Sequence, residues 1–283
     1  MYFNFKEIFM PNYVRNRIIM KDIGKIYPEY FDFNEFVPMP ECIKKTAINA
    51  PIDSEERKAK IVSTSIFNDN AAMNLIYKEI RNCRDPIDLI SYTNIYDLVE
   101  KYITDMYKED PPSVKMTLEK LADIIYCFIT TGCTNWYEWS YAYWGTKWNS
   151  CGFDHIDNDT IQFDTAWNVP DHVFRKFFEK YRDREIEIWF ADEGIPENAG
   201  HIYKEKDSID FHIDWQHSDE EYRDCVLNTW GKEYLTDDEE EKDTTEIGIT
   251  KDANHIHYIP DYREMLKDAK PLNGKIIHPE DKS

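Results

Sequence analysis

The 283-residue sequence has no run approaching 18 consecutive apolar residues, so no membrane-spanning helix is expected. Its opening, Met1 to Glu7, lacks the basic start and long apolar stretch of a secretory signal, which leads to the expectation of a cytosolic protein. The six cysteines (Cys42, Cys83, Cys127, Cys133, Cys151, Cys225) form no CxxC pair, so free thiols are expected and an iron–sulfur cluster is not. Zinc ligands come nearest in His255-x-His257 and His212-x4-His217, and neither has a partner pair at the usual spacing. Glycine (9) and proline (13) are too few for a collagen-like or low-complexity chain. The P-loop, the GxGxxG fingerprint, the GxSxG elbow and HExxH are all missing, which weakens an enzymatic reading; no cofactor and no metal are expected. Basic residues are scarce as well. Lys and Arg number 34 against 55 Asp and Glu, a net charge of −21 that repels phosphate backbones. A general nucleic-acid binder would have to hide a basic face.

What is present can build a core: 42% of residues are hydrophobic and 15% aromatic. Around Tyr13–Met20, the sets Tyr13/Arg15/Arg17/Ile19 and Val14/Asn16/Ile18/Met20 alternate, and the second is mostly apolar, as in a half-buried strand. Phe31 to Pro40 carries alternating aromatics and two prolines and reads as an extended connector. Residues 50–131 read as three helices. Asp69 or Asn70 can cap a stripe of Met73, Ile76, Tyr77 and Ile80; Ile95 to Met106 repeats the spacing; and Pro111-Pro112-Ser113 starts a third. Further strands are expected over Thr160–Trp167, Glu185–Phe190, His201–Lys204 and Ile209–Ile213, and a helix after Pro170. The order strand, helices, strand, strand, helix, strand fits an α+β, ferredoxin-like (split βαβ) sheet domain with a helical insertion in the first crossover and an acidic C-terminal extension. The corresponding partition is 1–49 with 132–206 for the discontinuous sheet domain, 50–131 for the insertion, and 207–283 for the extension.

Four constellations could carry chemistry. Six of the eight tryptophans lie between Trp136 and Trp189. Among them Trp144, Gly145, Thr146, Lys147 and Trp148 form a motif that could stack bases or sugars with Lys147 at a phosphate, or could simply be core. Asp154, Asp157 and Asp159 could hold a divalent metal, although a polar turn explains them better because the central Gly and distal Glu of a calcium loop are missing. Asp192-Glu193-Gly194 is a pair of acids for proton transfer or a strand-ending turn. Residues 207–246 hold fifteen acidic residues against Arg223, Lys232 and Lys242, a balance of −12, and read as an exposed loop or linker. The candidate contacts there are Asp219, Glu220, Glu221, Asp237, Asp238, Glu239, Glu240 and Glu241.

Five segments, Met10-Pro11-Asn12-Tyr13-Val14-x-Asn16-Arg17, Phe33-Asn34-x-Phe36-Val37-Pro38-Met39-Pro40, Trp144-Gly145-Thr146-Lys147-Trp148-Asn149, Phe163-x-Thr165-Ala166-Trp167-Asn168-Val169-Pro170 and Trp189-Phe190-Ala191-Asp192-Glu193-Gly194, stand in that order. Together they make the chain resemble the YubB-type ferredoxin-like domain family of phage and plasmid accessory proteins. The resemblance implies the fold and a mobile-element origin, and supplies no catalytic residues. With the charge, it leads to the expectation of a non-enzymatic protein that binds a host protein with a basic surface. Carboxylates imitating nucleic-acid phosphates could block a nuclease or CRISPR-type defence complex. Two alternatives stay open. One is a nucleic-acid module using Arg15, Arg17, Lys147 and Trp148; the other is a metal-dependent hydrolase using Asp154, Asp157, Asp159 or Asp192 with Glu193.

Overall fold

The computed structural model describes residues 12–47, 51, 53–80, 93–208, 210–216 and 218–232. They belong to two compact units, the described parts of Met1–Lys44 with Asn135–Asp238 and of Lys45–Thr134 with Glu239–Ser283.

The first unit is built on a sheet of β1 (Tyr13–Ile19), β2 (Cys151–His155), β3 (Thr160–Ala166), β4 (Ile186–Asp192), β5 (Ala199–Lys204) and β6 (His212–Trp215) in the order β2-β3-β1-β4-β5-β6. Every neighbouring pair is antiparallel. The first four strands have the order and alternation of a ferredoxin-like fold. β5 and β6 prolong the sheet beyond β4. The short helices α1 (Ile23–Ile26) and α2 (Glu41–Lys44) follow β1, and α7 (Trp136–Trp144) leads into β2. The second crossover is α8 (Asp171–Lys180), and α7 packs against it.

Period-two alternation in β1 sets the two faces. Val14, Asn16 and Ile18 are fully buried, while Tyr13, Arg15, Arg17 and Ile19 are only half-buried. Asn16, the polar member of the buried set, donates through Nδ2 to Val14 O (2.9 Å) and Thr165 Oγ1 (2.9 Å). α8 starts after Pro170, whose fixed φ suits a first turn, and buries Val173, Phe174, Phe177 and Phe178 on one stripe. Phe31 lies flat on Phe163 at 4.9 Å and meets Phe177 edge-on at 5.5 Å. Each such buried phenylalanine contributes about 1.5–3 kcal/mol.

The expectation of an extended connector over Phe31 to Pro40 needs correction. Phe33–Glu35 is a turn of 3₁₀ helix, because the Asp32 carboxylate accepts from Asn34 N (2.9 Å) and caps it. Pro38 and Pro40 stop that turn from extending. The expected strand Ile209–Ile213 is displaced to His212–Trp215, with Ile209 outside the described residues. The acidic 207–246 stretch is not the expected open loop over its described part. Beyond β6, Ser218 caps α9 (Asp219–Thr229), and that helix buries Cys225, Val226 and Thr229. Tyr222, Cys225, Val226, Thr229 and Trp230 recur at helical spacing and form the side that meets the sheet, a signal outweighed in the sequence by the surrounding acidic residues.

The second unit contains four helices among its described residues, not the three expected: α3 (Glu55–Phe67), α4 (Asn70–Ile80), α5 (Thr93–Met106) and α6 (Val114–Thr131). The signal for α3 was legible. Ser54 caps it, and Ala59, Val62, Ser63, Ile66 and Phe67 recur at helical spacing. Asp69 does cap α4, accepting from Ala71 N (2.8 Å) and Ala72 N (3.2 Å). Val62, Ile66, Ile76, Ile95, Val99 and Leu121 lie at the centre of the helical core. Among the described residues no helix is long and apolar enough to cross a membrane, and Cys151 and Cys225 carry free thiols.

Lys204 is fully buried at the end of β5, and its ammonium donates to the carbonyls of Arg182 (3.0 Å), Arg184 (2.7 Å), Glu205 (2.9 Å) and Ser208 (3.2 Å). It ties the α8–β4 turn to the β5–β6 turn. Replacing it leaves those acceptors without their donor, so Lys204→Met should lower unfolding stability by about 2–4 kcal/mol. Urea denaturation followed by tryptophan fluorescence measures the loss, and an unchanged midpoint would remove the clamp assignment.

Candidate functional site

The sheet face opposite α8 is where a ferredoxin-like domain can offer side chains to a ligand. Here α9 lies across part of it. Arg15 forms a bidentate pair with Asp164 across the β1–β3 ladder (2.9 and 3.1 Å) and lies over the Trp230 ring, 3.8 Å from its centroid. Arg17 donates to Asn228 O (3.0 Å), in the last turn of α9, where the helix dipole is negative. The Trp230 indole donates to Ala191 O (2.9 Å). Beneath the helix, Ala191, Ala199, Cys225 and Val226 pack with Trp189, Tyr222 and Trp230. Two arginines that read as nucleic-acid contacts are thus used to hold a helix.

The outer surface of α9 is acidic. Asp219, Glu220, Glu221 and Asp224 are exposed, and the first three fill its first turn, where carboxylates suit the helix dipole. The expected cluster is therefore partly assembled. Asp219, Glu220 and Glu221 are fixed on a docked helix, whereas Asp237, Asp238, Glu239, Glu240 and Glu241 lie outside the described residues.

The tryptophan motif divides into two roles. Trp144 is buried and donates to Val37 O (2.8 Å). Gly145 ends α7 at φ 84, and a Cβ there would collide with the Asp171 carboxylate. Thr146 is buried and donates to Ala166 O (2.8 Å). Asn149 accepts from Phe33 N (2.9 Å) and donates to Asp32 (2.7 Å). These four are scaffold. Lys147 and Trp148 stay half-exposed, and the Lys147 ammonium lies 4.5 Å from the Trp167 ring centroid, 4.8 Å from Trp148 and 5.9 Å from Tyr137. Tyr141 lies nearly parallel to Trp167 at 6.3 Å, and burial pushes its phenol well above the usual range. In sequence Trp167 reads only as the end of a strand; no period or spacing marks it as a surface ring.

Of the acid groups considered for catalysis, Asp157, Asp159, Asp192 and Glu193 serve turns and strand ends. Asp192 is fully buried, and its Oδ1 accepts from Gly194 N (2.8 Å) and Ile195 N (2.9 Å) while Oδ2 accepts from Asn198 (3.0 Å). Glu193 accepts from Tyr13 N (2.9 Å). Asp157 and Asp159 close the β2–β3 turn, with Asp159 also accepting from Asp22 N (2.7 Å), and Asp154 is exposed on β2. Among the described residues no three His, Cys, Asp or Glu side chains converge as metal ligands. One pair escaped the sequence reading. Glu187 accepts from the Trp189 indole (2.9 Å) and meets His201 (3.0 Å), whose ring stacks on Trp189. Alternation along β4 and β5 places all three on one face, but nothing in either strand alone predicts their register.

The strand order, crossovers and extra C-terminal helix can be set beside known proteins. Residues 143–248 match the family model of the ferredoxin-like domain in Api92-like proteins. The crystal structure of the protein Api92 from Yersinia pseudotuberculosis is similar at 11% identity, over 74% of this chain and 99% of that one, with a TM-score of 0.29. At that score the overall likeness carries no argument, and the fold rests on the family match and on the sheet itself. No curated protein matches the chain. The YubB-type resemblance and the Api92-like match agree on the ferredoxin-like fold, and neither name states an activity.

Burial beneath α9 pushes the Cys225 thiol up to about 11, with Asp224 and Glu221 acting in the same direction. At pH 8 the thiol is therefore protonated as well as covered, and iodoacetamide should label it far more slowly in the folded chain than in the urea-unfolded chain. Trp230→Ala removes the ring by which the end of α9 packs on Arg15 and bonds Ala191 O, and labelling of Cys225 should accelerate about tenfold. Mass-spectrometric labelling rates check this; equal rates in parent and variant would show that α9 is not held by that contact.

Proposed function

We propose that this chain is a non-enzymatic binding protein that docks a protein of basic surface through the acidic side of α9. The observation that carries the reading is the anchoring of Asp219, Glu220, Glu221 and Asp224 on a helix tied to the sheet through its buried side. Carboxylates held in place lose less freedom on binding than carboxylates on a loose linker, so more of their attraction survives as affinity. Net charge of −21 adds long-range steering toward a cationic target. The finer reading is a phage- or plasmid-derived accessory protein acting in the host cytosol as a nucleic-acid mimic against a nuclease or CRISPR-type defence complex. It draws on the YubB-type resemblance together with this charge, and is an argument from analogy.

The nucleic-acid alternative is disfavoured by what Arg15 and Arg17 do: one is paired with Asp164 and the other faces the end of α9. The hydrolase alternative is disfavoured at Asp192, whose oxygens are occupied by donors of its own turn.

Capture from host lysate on immobilised protein should retain a basic protein that elutes as salt rises. The combined change Asp219→Asn, Glu220→Gln, Glu221→Gln and Asp224→Asn should weaken its retention about tenfold or more without altering the fold. Retention indifferent to both salt and neutralisation would overturn the proposal.

A further inference from the structure

We propose that the Lys147 cluster is a binding site for a small planar anion, a flat ring carrying one carboxylate or phosphate group. The ring would stack on the surface indoles and the anionic group would meet the Lys147 ammonium. This goes beyond the α9 reading and uses none of its residues.

Three features carry it. First, packing does not explain these rings. Trp139 and Trp144 of the same segment are buried, whereas Tyr137 is 41% exposed and Trp148 and Trp167 are half-exposed, although they come from α7, the α7–β2 loop and the β3–α8 loop to surround one ammonium. Second, Lys147 stands in a chain with 55 acidic residues, yet among the described residues no carboxylate and no hydrogen-bond acceptor meets its Nζ. Ring faces balance its charge but leave its three N–H donors to solvent. An incoming anion can take those donors without breaking a contact within the protein. Third, Trp167 is a bulky residue in the left-handed region at φ 64. Its N–H donates to Asn12 O (2.9 Å), and its carbonyl accepts from Asn198 (2.7 Å), which Asp192 holds in turn. Asn or Gly would adopt that backbone at less cost. Keeping an indole there makes sense where the position of the ring matters more than the ease of the turn.

Charge selects the size of the ligand. A nucleic-acid strand brings many phosphates against a surface of net −21 and is repelled. A molecule with a single anionic group feels mainly the ammonium it touches, because charges beyond about 8 Å are screened at physiological salt. A nucleoside monophosphate and an aromatic carboxylate share this chemistry.

Titration calorimetry of the full chain with adenosine 5′-monophosphate, adenosine and indole-3-acetate separates the sources. At least one of the two anions should bind saturably below about 5 mM, with adenosine about tenfold weaker or undetectable. Nucleotide binding alone identifies a phosphate ligand, and indole-3-acetate binding alone an aromatic acid. Lys147→Gln should weaken the active anion about tenfold, and Trp167→Asn should do the same while unfolding at or above the parent's midpoint, since Asn relieves the backbone. No saturable heat from either anion, or undiminished binding by Lys147→Gln, would overturn the site. Neither variant touches α9, so partner capture serves as an independent control.

Discussion

β1 is the constraint on which the sheet unit depends. It pairs with β3 on one side and β4 on the other along almost its whole length, and its seven residues face two environments that have to be satisfied together. One side supplies Val14, Asn16 and Ile18 to a phenylalanine-rich core; the other supplies Arg15 and Arg17 to α9. Shifting the register by one residue would push two guanidinium groups into that core and turn Val14 and Ile18 toward a charged helix. The alternation therefore specifies more than a strand. It fixes which face is dry and which face can receive a helix with acidic residues on its outside.

That same arrangement changes the meaning of the basic residues. In a ferredoxin-like sheet, arginines on the open face suggest contact with phosphate. Here each has an internal acceptor, Asp164 for Arg15 and the terminal turn of α9 for Arg17. A guanidinium held bidentate and stacked on an indole would have to give up both contacts to engage an external anion. Lys147 is under no such obligation. The difference between an arginine used for construction and a lysine left available lies in their partners, and no count of basic residues reveals it.

Much of the architecture was legible because it rests on local chemistry. The period of β1, Pro170 before Val173 and Phe174, the double proline before α6 and the polar turn at Asp157–Asp159 each act within a few residues. The strand order followed from them because right-handed crossovers allow few alternatives. What escaped had distant causes. The 3₁₀ turn at Phe33 depends on Asp32, which is held by Asn149 more than a hundred residues later. α9 is strongly acidic, and its helix is worth forming only because Ala191, Ala199 and Trp189 offer a surface to cover. Charge composition described its outside correctly and was silent about its inside.

The tryptophan-rich segment shows why a motif can be read two ways and be both. Within six residues, Trp144, Thr146 and Asn149 are committed to the scaffold by hydrogen bonds to Val37, Ala166 and Phe33, and the Lys147 carbonyl accepts from Ser140 Oγ (2.6 Å), while the Lys147 ammonium is left to the rings. Committed neighbours make the ammonium precise in position: a lysine on a loose loop samples many rotamers, but one carried between anchored residues and rings on three sides has little room to move. A scaffold that holds an ammonium in one place while supplying no acceptor for it differs from a core, where polar groups are satisfied internally. The core and ligand readings of this segment are therefore not rivals. Burial of the first set is what gives the second set a fixed geometry to offer.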